Sequence, residues 1–168
     1  MSKYNNEEKQ LRYKVRNEAE QSIKDLHIDR ANFHEAPKTE WESVIKRFYY
    51  TFIDYEKYPK IHLNYLWLHF RPDLHYTRLQ NGIHTDDWTE FVGKIDELIP
   101  KENRPNEYYY INDYGWVYEG KLPEIIQILS DCSMMIEDFY ILPKRERFDY
   151  VVCYCGDGDT MVVYLRGN

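Results

Sequence analysis

Three groups of residues have types and spacings that suit chemistry. The first is the run Asp157-Gly158-Asp159-Thr160, which follows an apolar stretch. An aspartate-nucleophile phosphatase carries Asp-x-Asp-x-Thr after a hydrophobic strand, and here Thr160 comes one position early. No helix is expected downstream to position a phosphate. A calcium loop needs more oxygen ligands and a distal bidentate glutamate, whereas an apolar run follows Thr160. The run reads better as a hairpin turn, in which Gly156 and Gly158 accept positive φ and the aspartates favour turning.

The second group is Cys153 and Cys155, which share one face if their segment is a strand. Adding Cys132 or a histidine would give zinc-type ligands. No Cys-x-x-Cys or His-x-x-x-His pair accompanies them, and a free cysteine commonly serves as a small buried hydrophobe. Neither metal nor cofactor is assigned.

The third group lies between residues 62 and 84. His62, His69, His75 and His84 occur there beside Arg71 and Arg78. Histidine with paired guanidinium groups suits anion binding or acid–base work. His69, Arg71, His75 and Arg78 are therefore the candidate ligand pocket. The chain has no Gly-x-Ser-x-Gly elbow, no phosphate-binding Gly-Lys-Ser/Thr loop and no Gly-x-Gly-x-x-Gly. Its adjacent acidic pairs, Asp86-Asp87 and Glu137-Asp138, are neighbours rather than a convergent acid–base couple. No catalytic residue is assigned, and the reading leans away from an enzyme.

A fourth set points to recognition. Tyr108, Tyr109 and Tyr110 are consecutive, and on a strand alternate residues face opposite sides. One face of the hairpin would then carry Tyr108, Tyr110, Asp113, Tyr114 and Trp116 as a candidate partner surface, since aromatic anchors are typical hot spots. The rival reading is that helices cover both faces. The 17 tyrosines suit either one, because a tyrosine ring fills a core edge while its hydroxyl seeks a partner.

The elements that must position these groups can be read along the chain. Residues 6–28 carry a helical stripe, Leu11, Val15, Ala19, Ile23 and Leu26. Thr39 with Glu42 makes a capping-box pattern for a second helix ending near Tyr55. Residues 60–70 fit a strand or a short buried helix, with the weight towards helix. Residues 71–84 show no period. Thr85 opens a third helix that ends before Pro100. From Glu107 the period changes. Tyr108–Ile111 and Trp116–Glu119 form a hairpin, a short helix starts at Pro123, and Phe139–Leu142, Phe148–Cys155 and Met161–Leu165 are strands. Apolar residues on both faces of the last two mark them as central. The fold class is α+β: N-terminal helices packed with a C-terminal antiparallel sheet of about five strands. One domain is expected over 1–168, mainly helical over 1–100 and sheet-forming over 107–166.

The net charge of −7 argues against nucleic acid, whose phosphates call for a basic surface, and favours a basic partner. No apolar run is long enough for a membrane span. The N-terminal residues lack a signal-peptide core, and three cysteines do not make a disulfide framework. A cytoplasmic location is the expectation. Oligomeric state is not specified.

The order Trp116-Val-Tyr-Glu-Gly, then an Ile-rich helix, then Asp138-Phe-Tyr-Ile-Leu-Pro-Lys, resembles uncharacterised bacterial proteins known only as domains of unknown function. In size and acidity such proteins resemble immunity proteins of bacterial toxin systems. Acidity, aromatic content, single-domain size and the absent catalytic motifs point to a non-enzymatic protein-binding domain, of the immunity type, that occludes a basic partner; the resemblance itself carries over no site residues. The alternatives are a small-molecule-binding protein or enzyme using residues 62–84, and a structural homodimer.

Overall fold

The structure, a computed structural model, describes residues 4–80, 88–131, 138–155 and 160–165. Helices and strands are interleaved in an α+β fold. Helix α1 (Tyr4–Asp25) precedes a three-residue strand, β1 (Phe33–Glu35), and helix α2 (Lys38–Phe52). An irregular stretch with one 3-10 turn at Leu66–Leu68 leads into β2 (His75–Gln80). Short helices α3 (Trp88–Gly93) and α4 (Ile95–Leu98) follow, then β3 (Tyr108–Asn112) and β4 (Val117–Gly120). Helix α5 (Leu122–Asp131) and strands β5 (Phe139–Pro143), β6 (Tyr150–Cys155) and β7 (Thr160–Leu165) complete the described chain.

All strands join one antiparallel sheet in the order β1-β4-β3-β5-β6-β7-β2. The five strands expected after Glu107 form its centre. Two strands from the first half of the chain complete the edges, neither of them marked by a sequence pattern. β1 is too short to show a period. β2 falls inside the stretch read as unperiodic. An edge strand exposed on its outer side needs no apolar alternation, and His75, Tyr76 and Thr77 are all exposed.

Alternation along the central strands divides the core. Tyr108, Tyr110, Tyr118, Phe139, Ile141, Val152 and Tyr154 pack with Val15, Ala19 and Ile23 of α1, with Phe91 and Ile95 of α3 and α4, and with Ile125 and Leu129 of α5. On the other face Tyr109, Ile111, Val117, Tyr140, Leu142, Val151 and Cys153 pack with Val44, Phe48 and Phe52 of α2 and with Leu63, Leu66 and Leu74. The sheet is thus a middle layer, which is why its strands read as nearly continuous apolar runs.

Several boundaries depart from the sequence reading. α1 stops at Asp25 rather than residue 28, because His27 turns left-handed at φ 52°. The Ile28 N–H then donates to Ile23 O and the His27 N–H to Lys24 O, a Schellman-type closure. The capping box at Thr39 does not form. The N-cap is Pro37, with no side-chain cap, and the Trp41 indole donates instead to Ala36 O at 2.7 Å. The third helix is split at Lys94, next to Gly93, where backbone freedom weakens a helix. Its expected cap, Thr85–Asp87, lies outside the described residues.

Residues 60–70 form no regular helix. Tyr65 is left-handed at φ 58°, and buried tyrosine hydroxyls hold the surrounding backbone. The Tyr49 hydroxyl lies 2.6 Å from Tyr58 O and 2.7 Å from Lys60 O, and the Tyr140 hydroxyl donates to Leu63 O. Main-chain carbonyls that no ladder could satisfy are met by side chains from the core. Among the described residues no helix is long and apolar enough to cross a membrane.

Candidate functional site

The aromatic hairpin expected to face a partner faces the core. Tyr108, Tyr110 and Trp116 are 2%, 0% and 3% exposed. The Trp116 indole donates to Arg12 O at 2.8 Å. Its ring meets Tyr13 and Trp41 edge-on, and the Arg12 guanidinium lies 4.5 Å above it. Asp113 and Tyr114 are half-buried at the turn, where the Asp113 N–H donates to Asp138 O. Helices cover both sheet faces, so Tyr108, Tyr110 and Trp116 offer no partner surface.

The histidine–arginine group is spread out. The His69 ring stacks on Tyr58 at 3.7 Å between centroids. Arg71 pairs with its near neighbour Asp73 at 3.1 Å. His75 is exposed at the start of β2, opposite Leu165. Arg78 pairs with Val162 through the backbone, and its side chain lies outside the described part. Among the described residues no hydrogen bond, ion pair or ring contact joins His69, Arg71 and His75. Cys153 is a buried thiol within the α2-side core. Cys132, the side chain of Cys155 and the residues Asp157–Asp159 lie outside the described part.

A different constellation emerges around β2. Of the seven large hydrophobic residues exposed among the described residues, five are Tyr50, Tyr55, Tyr65, Leu68 and Tyr76. They span the end of α2, the irregular stretch and the start of β2. Leu68 and Tyr76 are 58% and 59% exposed. Tyr50 and Tyr55 meet edge-on at 5.2 Å. Phe70 stacks on Tyr164 of β7 at 3.9 Å, and Tyr76 leans on the same ring at 5.8 Å. The stretch is anchored by main-chain bonds, Asp54 N–H to His69 O and Arg71 N–H to Phe52 O. β2 ends the sheet, and no described residue pairs with its outer edge.

One part of this surface had a sequence signal. Tyr50 lies off the Val44–Phe48–Phe52 stripe of α2, so a helix packed on that stripe must point Tyr50 outward. Tyr65, Leu68 and Tyr76 had none, because their stretch follows no period.

The opposite edge carries charge instead. His34 of β1 contacts Glu119 of β4, Nε2 to Oε1, at 2.7 Å. Lys144 lies 3.0 Å from Glu119 Oε2, close but poorly aligned for a hydrogen bond, and donates to Glu107 at 3.2 Å. Burial works against the Lys144 charge, yet the contacts with Glu119 and Glu107 outweigh it and hold the ammonium above its ordinary value. Burial likewise raises the Tyr109 phenol, against the pull of Lys144. Arg16 of α1 caps the edge by pairing with Glu35 at 2.9 Å. The signal for this group was Glu119 itself, a carboxylate inside an apolar run.

The model of a family of unknown function, DUF6756, matches residues 11–166. The chain belongs to that family. The match runs from within α1 to the residue after β7, so DUF6756 takes in both edge strands, the exposed stretch and the charged group. No curated protein matches the chain.

Proposed function

We propose that this DUF6756 chain is a non-enzymatic protein-binding domain whose contact surface is the stretch from Tyr50 to Tyr76 with the outer edge of β2. The observation that carries the reading is the concentration of exposed aromatic and aliphatic side chains there, beside a six-residue strand whose outer edge no described residue pairs with. Exposed apolar patches of this kind mark interaction sites. An open edge adds main-chain donors and acceptors that an extended partner segment can pair with. The net charge of −7 supports a basic partner, attracted at long range and held by the apolar stretch. Occlusion of a basic toxin, as immunity-type proteins perform it, is one form this role takes.

The test is site-specific photo-crosslinking in the host cell, with the reactive group at position 68 or 76 and a control at exposed Gln127 on α5. One discrete adduct from 68 and 76, absent at 127, is expected. The identified partner should bind Leu68→Glu and Tyr76→Glu at least about tenfold more weakly, the loss of one well-packed anchor. Equal labelling at 127, or undiminished binding by both variants, overturns the reading.

A further inference from the structure

We propose that the partner's contact segment is an extended strand laid along the outer edge of β2, with apolar and basic side chains in alternation. This occupant presupposes the contact surface proposed above and gives it a conformation and a chemistry. The two ends of the sheet differ. β1 has three residues, and a very short edge strand is one ordinary device against further pairing. β2 has six and pairs with β7 without a bulge, from His75↔Leu165 to Gln80↔Thr160. It contains no proline and no lysine, and Arg78 is its one charged residue, so it lacks most of the devices that blunt an edge. No described residue pairs with its outer side. A strand of that length extends about 20 Å, and its alternate N–H and C=O groups face outward. An extended segment can satisfy that row, whereas a helix has spent its own main-chain groups internally.

Side-chain requirements follow from the two faces of this edge. Tyr76 is paired with Tyr164 of β7, which packs on the α2 side. Its ring leans on Tyr164, where Phe70 is also stacked. Every second residue of an added strand lies beside this aromatic rim, and an aromatic or β-branched side chain there gains a cross-strand contact with Tyr76. The alternate residues turn to the face of Thr77, which is paired with Val163 and through it with Val152 of the other core layer. His75 and Thr77 are exposed on that face, so apolar side chains gain little there.

Charge selects the second set of side chains. Residues 88–131, which supply α3, α4 and α5, hold nine acidic and four basic residues, whereas residues 4–80 hold twelve and thirteen. The acidic excess therefore lies in the segment whose helices cover the Thr77 side of the sheet. α4 packs against β7 there. Lys94 and Arg104 answer Glu90 and Asp96, while Glu97 is exposed and has no ion pair among the described residues. Lysine or arginine on this side meets a surface of opposite sign. A second copy of the chain is a poorer occupant, because it brings another net charge of −7 and like charges oppose association.

The probe is an end-blocked peptide of about seven residues, the length that spans β2, in which lysine and valine alternate. It is titrated into the full chain and read by amide exchange. At about ten times its dissociation constant it should slow the outward-facing, alternate amides of β2 about tenfold, the factor that mass action gives, and leave the amides between them unchanged. A peptide of the same composition with its lysines and valines in two blocks should bind about tenfold more weakly, since its valines cannot all face the aromatic rim. Glutamate in place of lysine should weaken binding by a similar factor, and the difference should shrink in about 0.5 M salt. Two further peptides carry N-methyl groups on alternate amides in opposite phase. One should keep its affinity and the other lose it, because only alternate amides face the neighbouring strand. Every change is made in the peptide, so the folding of the chain is not perturbed. No binding by the alternating peptide up to about 1 mM, equal binding by all the peptides, or outward β2 amides already protected before peptide is added overturns the added strand. So does self-association in light scattering that protects those amides, which assigns the edge to a second copy. In any of these cases a partner still crosslinked through positions 68 and 76 leaves the contact surface standing and removes only its extended basic occupant.

Discussion

The hydroxyls of Tyr108 and Tyr150 lie 3.1 Å apart inside the core, one on β3 and one on β6. The two strands are not neighbours, since β5 runs between them. The pair therefore reaches across a strand on the face packed against α1 and α5, where the two hydroxyls share one hydrogen bond. Burial, then the hydrogen bond shared with Tyr108, raise the Tyr150 phenol far above its ordinary value of 10.0.

Alkaline stability follows from this chemistry. Burial also raises Tyr140 and Tyr49 above 10.0, and the Lys144 ammonium is held above 10.5. For each group the folded value exceeds the unfolded one, so its contribution is whole below the unfolded value and declines as pH rises through the folded value. Denaturant midpoints should be flat on this account through neutral pH and fall steeply above about pH 10. Tyrosinate absorbance should show a fraction of the phenols ionising only as the chain unfolds. Complete ionisation with native circular dichroism retained would contradict the burial described.

Tyr140→Phe isolates one hydroxyl. It removes the donor to Leu63 O and leaves a buried carbonyl unmet, which costs about 1–3 kcal/mol. The loss should be read as a lower denaturation midpoint with faster amide exchange through residues 60–68, and with the sheet amides protected.

Gly120→Ala tests the β1–β4 contact. A Cβ at Gly120 would meet Asn32 O and stand 2.9 Å from Phe33 Cα, both backbone atoms. Main chain cannot rotate away, so β1 must shift. Overpacking of this kind costs about 1–3 kcal/mol. Calorimetry should show the loss, and exchange at Ala36 and Lys121 should rise most.

A pair of alanine substitutions separates core from surface. Tyr110→Ala removes a fully buried ring and should cost about 3–5 kcal/mol, as large aromatic truncations do. Tyr76→Ala removes a ring that is 59% exposed and should change stability by no more than about 0.5 kcal/mol. Urea titrations of both variants against the unmodified chain provide the comparison.

The central sheet was legible because its strands are apolar on both faces and are separated by turn residues. Val117–Gly120 and Phe139–Pro143 fall within one residue of the expected Trp116–Glu119 and Phe139–Leu142. The edges were not legible. β1 has three residues, and β2 needs no apolar alternation on an exposed edge. Whether the aromatic hairpin is exposed or covered was not legible, since a strand pattern says that alternate residues face opposite ways, not that either way is open. Tyr108 and Tyr109 do diverge, but each meets a layer of core. The irregular backbone near Leu63 depends on hydroxyls from Tyr49 and Tyr140, partners remote in sequence that no local pattern announces.

The sheet order also sets a schedule for a chain that is synthesised from its N-terminus. β1 cannot pair until β4 has been made, nor β2 until β7. At roughly 5–20 residues per second, residues 75–80 wait several seconds beyond their own synthesis for a partner. A nascent chain stalled before β7 would carry Tyr76 and its neighbours with no strand to join.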